Sequence, residues 1–267
     1  MDHEEAHSAK RLNELMTEQA EPTTPVTIPT ARGATQAFIL IKPDNPAASV
    51  VLFAGGSGAL GLKSASSMDR GKGNFLVRSR DKFAAHNFIV AVVDAPSDRQ
   101  QGMNAIFRMS DAHAGDIGAV ATYLKNEAGV PVWLIGTSAG TFSAANGAIA
   151  RKDVDGLVLT STVTRAPSEW AIAKTHPNGV ADMALSEVTV PTLIMSHRED
   201  GCIATPAADA VILKMRLTKT SCAEIALLDG GDPPQSGPCD ALSAHGYFGI
   251  EAKAVDTIAK FVSSNSN

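Results

Sequence analysis

No apolar run in this sequence reaches the ~18 residues that a membrane-spanning helix requires. The N-terminus has no apolar core of the signal-peptide kind. Two expectations follow: a cytoplasmic protein, or an exported one whose signal is not part of this sequence. Long basic stretches are missing and the formal net charge is −5, which argues against a nucleic-acid partner. Cysteine is scarce. Cys202, Cys222 and Cys239 fit no metal-ligand spacing, so no metal is expected. The glycine-rich stretch Ala54-Gly55-Gly56-Ser57-Gly58 is not followed by Lys-Ser/Thr at P-loop spacing, so it is not read as a phosphate cradle. No cofactor is implied, and there is no internal repeat.

What is present is a chain of 267 residues, 44% hydrophobic and 19% charged, enough for one large domain with a sizeable core. Residues 1–25 form a polar N-terminal arm, helical or disordered, with a helix expected up to Glu18. Residues 26–267 form the single domain. Glu21 to Pro29, with three prolines, reads as an extended linker.

Short apolar runs then recur as strands: Gln36 to Ile41, Val50 to Phe53, Phe88 to Val93, Val132 to Ile135, Gly156 to Thr160, Pro191 to Ser196 and Ala223 to Leu228. Helical segments are expected at Phe75 to His86, Ser110 to Tyr123, Pro206 to Leu217 and Glu251 to Val262. Alternation of this kind predicts a mostly parallel central sheet with helices on both faces.

One stretch carries chemistry. The apolar run Val132 to Ile135 leads into Gly136-Thr137-Ser138-Ala139-Gly140, a G-x-S-x-G pentapeptide, and a small-residue helical segment follows. Strand, tight turn and helix are the context of a nucleophile elbow, which exposes a serine hydroxyl above a helix N-terminus. Ser138 is the candidate nucleophile, and the Ala139 N–H can face a developing oxyanion.

On these residues the chain resembles the serine hydrolases of the α/β-hydrolase fold, of the esterase or dienelactone-hydrolase type without a large lid. The resemblance runs from about Val26 to Val262. It implies a triad in the order Ser, Asp, His. Asp200 matches the acid position, within His197-Arg198-Glu199-Asp200 and ahead of Pro206, and Glu199 is the alternative acid. His197 stands where relatives carry glycine, and its role is open. Asp94 sits at a strand end where the family's aspartate is usually structural. His245 is the only histidine between the last strand and the last helix, where the family places its base. His86, His113 and His176 are assigned surface roles.

The loop after the second strand supplies the family's second oxyanion donor, Gly56 by alignment, with Ser57 next. Ser57 and Trp170 are candidates for the substrate pocket. The connection Ser161 to Glu187 is too short and too broken by proline and glycine for a large helical lid, so an open site is expected. A triad contact between Asp200 and His245 also implies a Cys202–Cys239 disulfide, with Cys222 unpaired. Such a bridge favours an oxidising compartment and hence a periplasmic or secreted protein. The expected reaction is hydrolysis of a carboxylic ester or related acyl bond of a small molecule. Acyl transfer, peptide cleavage and a non-catalytic binding role are the alternatives. Oligomeric state is not indicated.

Overall fold

A computed structural model describes residues 23–266; the helix expected in the polar arm lies outside the described residues. Eight strands form one sheet: β1 (Thr23–Pro29), β2 (Thr35–Ile41), β3 (Ala48–Phe53), β4 (Phe88–Val93), β5 (Val132–Thr137), β6 (Gly156–Thr160), β7 (Thr192–His197) and β8 (Ala223–Leu228), in the spatial order β1-β2-β4-β3-β5-β6-β7-β8. β1 and β2 pair antiparallel with their neighbours. Every pairing from β4 to β8 is parallel.

β1 corrects the expected linker. Thr23–Pro29 is a strand despite Pro25 and Pro29, because it lies at the sheet edge, where a residue without an N–H leaves no ladder partner unsatisfied. It begins ahead of residue 26, where the domain was expected to start.

The central strands are buried on both faces, which is why they read as unbroken apolar runs. Side chains still alternate. Val51 and Phe53 pack into one core with Ile117, Leu134 and Phe142. Val50 and Leu52 pack into the other with Trp133, Phe75 and Ile258. The helices that close these layers are α1 (Phe75–Arg78), α2 (Arg80–Ala84), α3 (Ala105–Arg108), α4 (Asp111–Ala128), α5 (Gly140–Ala150), α6 (Ala210–Arg216) and α7 (Glu251–Ser264). The helix expected over Phe75 to His86 is broken at Ser79 into α1 and α2. α4 starts where the Ser110 side chain accepts from the His113 N–H and ends at Gly129, whose φ of 66° is left-handed. Between Ser161 and Glu187 there are only two short 3-10 turns, so no helical lid is formed there.

Candidate active site

β5 ends at Thr137, and Ser138 turns the chain with a φ of +52°, a conformation that costs a non-glycine residue on the order of 1–3 kcal/mol. The surroundings hold it there. The Ser138 N–H donates to the Thr160 carbonyl on β6 at 3.0 Å, and the Ser138 carbonyl accepts from the Thr141 N–H at 3.0 Å and from Thr141 Oγ1 at 2.5 Å. The flanking glycines are required by space. A Cβ on Gly136 would overlap the Gly140 backbone, and one on Gly140 would overlap the Phe53 carbonyl. β3, β5 and α5 therefore meet at the turn, and the small residues of G-x-S-x-G let them meet. Ser138 is left partly exposed.

Asp200 follows β7 and His245 lies in the loop between β8 and α7. His245 Nδ1 is 3.0 Å from Asp200 Oδ2. Thr205 Oγ1 completes the group, donating to Asp200 Oδ2 at 2.8 Å and lying 3.0 Å from His245 Nδ1. The Thr205 proton is committed to the carboxylate, so its oxygen can only accept from Nδ1–H. Asp200 can also only accept. This fixes the ring tautomer and leaves the lone pair on Nε2, the form a general base needs. The Asp200 carboxylate is fastened further by the Cys202 N–H at 2.9 Å to Oδ1. The His245 carbonyl accepts from Ser161 Oγ at 2.8 Å, and the Gly246 carbonyl from Arg78 Nη2 at 2.7 Å. Tyr247, fully buried, donates from its hydroxyl to the Met195 carbonyl at 3.0 Å; burial pushes this phenol's pKa up. Ser138 and His245 line one cavity of about 310 Å³ without a hydrogen bond between them among the described residues. Such contacts commonly tighten when substrate binds.

The loop after β3 is held by a residue that the sequence did not single out. Arg108, at the end of α3, is 1% exposed. Its Nη2 donates to the Ala54 and Gly56 carbonyls, each at 3.2 Å, and its Nη1 to Ser143 Oγ on α5 at 2.8 Å. The Gly55 carbonyl accepts from the Gly58 N–H at 3.2 Å. Three successive carbonyls are thus fixed, and peptide planarity fixes the opposing N–H groups with them. Neither Gly56 N–H nor Ala139 N–H donates to a described protein group. Gly56 lines the same cavity as Ser138, whereas Ser57 lines a neighbouring one with Arg32 and Arg99.

Arg108's partners are a hydroxyl and two carbonyls, so a guanidinium is buried here beside neutral groups; burial lowers its pKa to about 10, which leaves it charged at neutral pH. His113 lies against the same hydroxyl, with Nε2 2.9 Å from Ser143 Oγ. It is buried, not on the surface as expected, and burial with the Arg108 charge pushes its pKa down to about 3. Asn146, one helical turn from Ser143, donates to the Arg108 carbonyl at 3.0 Å and locks α3 to α5.

The remaining candidates fall as follows. Glu199 is exposed and is not in contact with His245; it faces a separate groove with His197. His197 is structural: Nδ1 accepts from the Glu199 N–H at 3.0 Å and Nε2 donates to the Gly230 carbonyl at 2.8 Å, joining the ends of β7 and β8. Asp94 holds the chain that follows the Ala54–Gly58 loop, accepting from the Leu60 N–H at 2.6 Å and the Leu62 N–H at 2.9 Å. Cys202 and Cys239 form a disulfide with a Cα separation of 4.5 Å, and Cys222 is free. Trp170 lines an apolar cavity that also reaches Ser138. Among the described residues no three His, Cys, Asp or Glu side chains gather to hold a metal, and no helix is long and apolar enough to cross a membrane.

No protein-family model and no curated protein matches the chain. Solved structures do. The Pyrococcus furiosus esterase Pf2001 is similar at a TM-score of 0.63 and 12% identity, over 93% of this chain and 94% of that one. The α/β-hydrolase GrgF from Penicillium sp. sh18 is similar at a TM-score of 0.66 and 11% identity, over 92% of this chain and 99% of that one. The esterase domain of a Rhodothermus marinus protein is similar at a TM-score of 0.61 and 14% identity, over 92% of this chain and the whole of that domain, 100%. With its strand order, its elbow after β5 and these likenesses over more than nine-tenths of its length, the chain has the α/β-hydrolase fold.

Proposed function

We propose that the protein is a serine hydrolase that cleaves carboxylic esters, or a related acyl bond, through an acyl-enzyme intermediate. Ser138 Oγ attacks the acyl carbon and His245 Nε2 takes its proton. Asp200, with Thr205, keeps the ring oriented and stabilises the imidazolium. The Ala139 and Gly56 N–H groups donate to the oxyanion, each such donor being worth roughly 3 kcal/mol of barrier. His245 then returns the proton to the leaving alcohol, and water repeats the sequence on the acyl-enzyme. The observation that carries this reading is the 3.0 Å Asp200–His245 contact, delivered to a cavity that Ser138, at φ +52°, also lines. The esterase names of two of the similar structures agree with it. The Cys202–Cys239 bridge supports folding in an oxidising compartment.

The test is turnover of short-chain nitrophenyl esters by the native protein and by Ser138→Ala. The variant is expected to lose several orders of magnitude in kcat with its fold intact. Near-native turnover by a Ser138→Ala protein of native circular dichroism contradicts the assignment.

A further inference from the structure

Two unequal cavities meet at Ser138. The larger, about 810 Å³, is lined by Ser138, Ala139 and Gly56 at its base and by apolar groups such as Met103, Val163, Trp170 and Ile172. Among the described residues Glu169 is the only charged one on it. Ile106 and Ile203 sit on the same surface, 53% and 78% exposed, which is costly for large apolar side chains unless something covers them. The smaller, about 310 Å³, is lined by glycines such as Gly71 and Gly73, by Phe75 and Ala241, and by Asn74 and Asp240. His245 lines the smaller cavity and not the larger. Cys239, half of the disulfide, borders both.

This asymmetry orients a substrate. When Ser138 Oγ has bonded to the carbonyl carbon, that carbon carries four groups: Oγ, the oxyanion, the leaving-group oxygen and the acyl chain. The oxyanion is held at Ala139 and Gly56. The C–O bond to the alcohol breaks as His245 Nε2–H hands its proton to the leaving oxygen, so that oxygen must face His245. The alcohol therefore lies in the smaller cavity and the acyl chain in the larger. The reverse placement would put the leaving alkoxide where no proton donor reaches it.

We infer, resting on the serine-hydrolase reading above, that the preferred substrates are esters of an extended apolar acid with a small alcohol. An apolar acyl chain gains by leaving water against Met103, Trp170 and Ile203, and Glu169 disfavours an acid bearing a second carboxylate. A long alcohol meets a space of less than half that volume instead.

Methyl octanoate and heptyl acetate are isomers, so they separate acyl from alcohol recognition at equal composition. Acid release from each is followed at constant pH, and the active-site serine is counted with a fluorophosphonate. The expected kcat/KM ratio is about a hundredfold in favour of methyl octanoate, since a buried methylene is typically worth a few-fold or more. Ile203→Asp should reduce that ratio. A ratio below tenfold, or a preference for heptyl acetate, overturns the substrate class while the serine-hydrolase reading stands. Stoichiometric labelling of Ser138 with no turnover of either isomer does the same. Neither labelling nor turnover removes both.

Discussion

The Arg108 guanidinium donates to the Gly56 carbonyl at 3.2 Å, which ties a buried cation to the loop flanking the candidate nucleophile. Burying a charge beside neutral partners is expensive, several kcal/mol even after relaxation. Here the same group reaches Ala54 on that loop and Ser143 on the elbow helix, so it spaces the two segments that carry the proposed oxyanion donors. Arg108→Met should release the Ala54 and Gly56 carbonyls on either side of the peptide that carries the Gly56 N–H, and so loosen the aim of that N–H. The expected result is a kcat lowered about tenfold to a hundredfold with KM little changed, a fraction of the roughly 3 kcal/mol that one donor is worth. Arg108→Lys, able to reach a single carbonyl, should recover part of it. Steady-state kinetics on variants of native circular dichroism checks this; an unchanged kcat in Arg108→Met contradicts it.

Asp200 and its neighbour Glu199 differ in what they reach, and kinetics should separate them. Asp200→Asn should lower kcat/KM on the order of a thousandfold or more, because the amide favours the wrong His245 tautomer. Glu199→Gln should change it little, since Glu199 is exposed and faces another groove. Thr205→Val should cost about tenfold, through loss of one hydrogen bond to Asp200 Oδ2. The opposite ranking of the two acids would move the acid role to Glu199.

His113 gives the molecule a pH-dependent weakness. Its pKa is about 3 in the folded protein, against ~6.5 in an unfolded chain. Between those values the unfolded state binds a proton and the folded state does not, so stability falls as pH falls below about 6.5. At pH 5 the loss from this one group is about 2 kcal/mol. His113→Gln keeps a hydrogen-bonding side chain beside Ser143 without the titration. Urea denaturation at pH 7.5 and pH 5 should show the native protein losing more stability than the variant. Equal losses would mean that the ring is protonated while folded.

The disulfide closes a loop across a sequence separation of 37 residues and joins the loop that carries Asp200 to the one that carries His245. Thiol titration under denaturing, non-reducing conditions should find one reactive thiol per chain, Cys222. Reduction should lower unfolding stability by about 3–4 kcal/mol in the chain-entropy account. It should also slow turnover, because Cys202 is two residues from Asp200. Three thiols in the untreated protein would rule the bridge out.

What could be read from the residues follows from what leaves a local trace. Double-sided burial writes Phe88 to Val93 and Val132 to Ile135 as plain apolar runs, and close packing writes the elbow as Gly136 and Gly140 around Ser138. The contact between Asp200 and His245 was foreshadowed by their places after β7 and between β8 and α7. β1 was hidden by Pro25 and Pro29, which signal a break unless the strand is known to be an edge. Arg108 and His113 were hidden because arginine and histidine ordinarily mark the surface, and only the fold brings Ser143 and two carbonyls to them. Thr205 carries no pattern of its own; its hydroxyl acquires meaning when β7 and the His245 loop come together.

The central claim is that Ser138 is the nucleophile of an acyl-transfer site. Incubation with an alkyl fluorophosphonate, followed by intact-mass measurement and peptide mapping, tests it most directly. The account predicts one adduct per chain, on the peptide containing Gly136 to Gly140, at Ser138, formed far more slowly in Asp200→Asn and absent in Ser138→Ala. An adduct on another serine, or a folded protein that stays unlabelled, would contradict it.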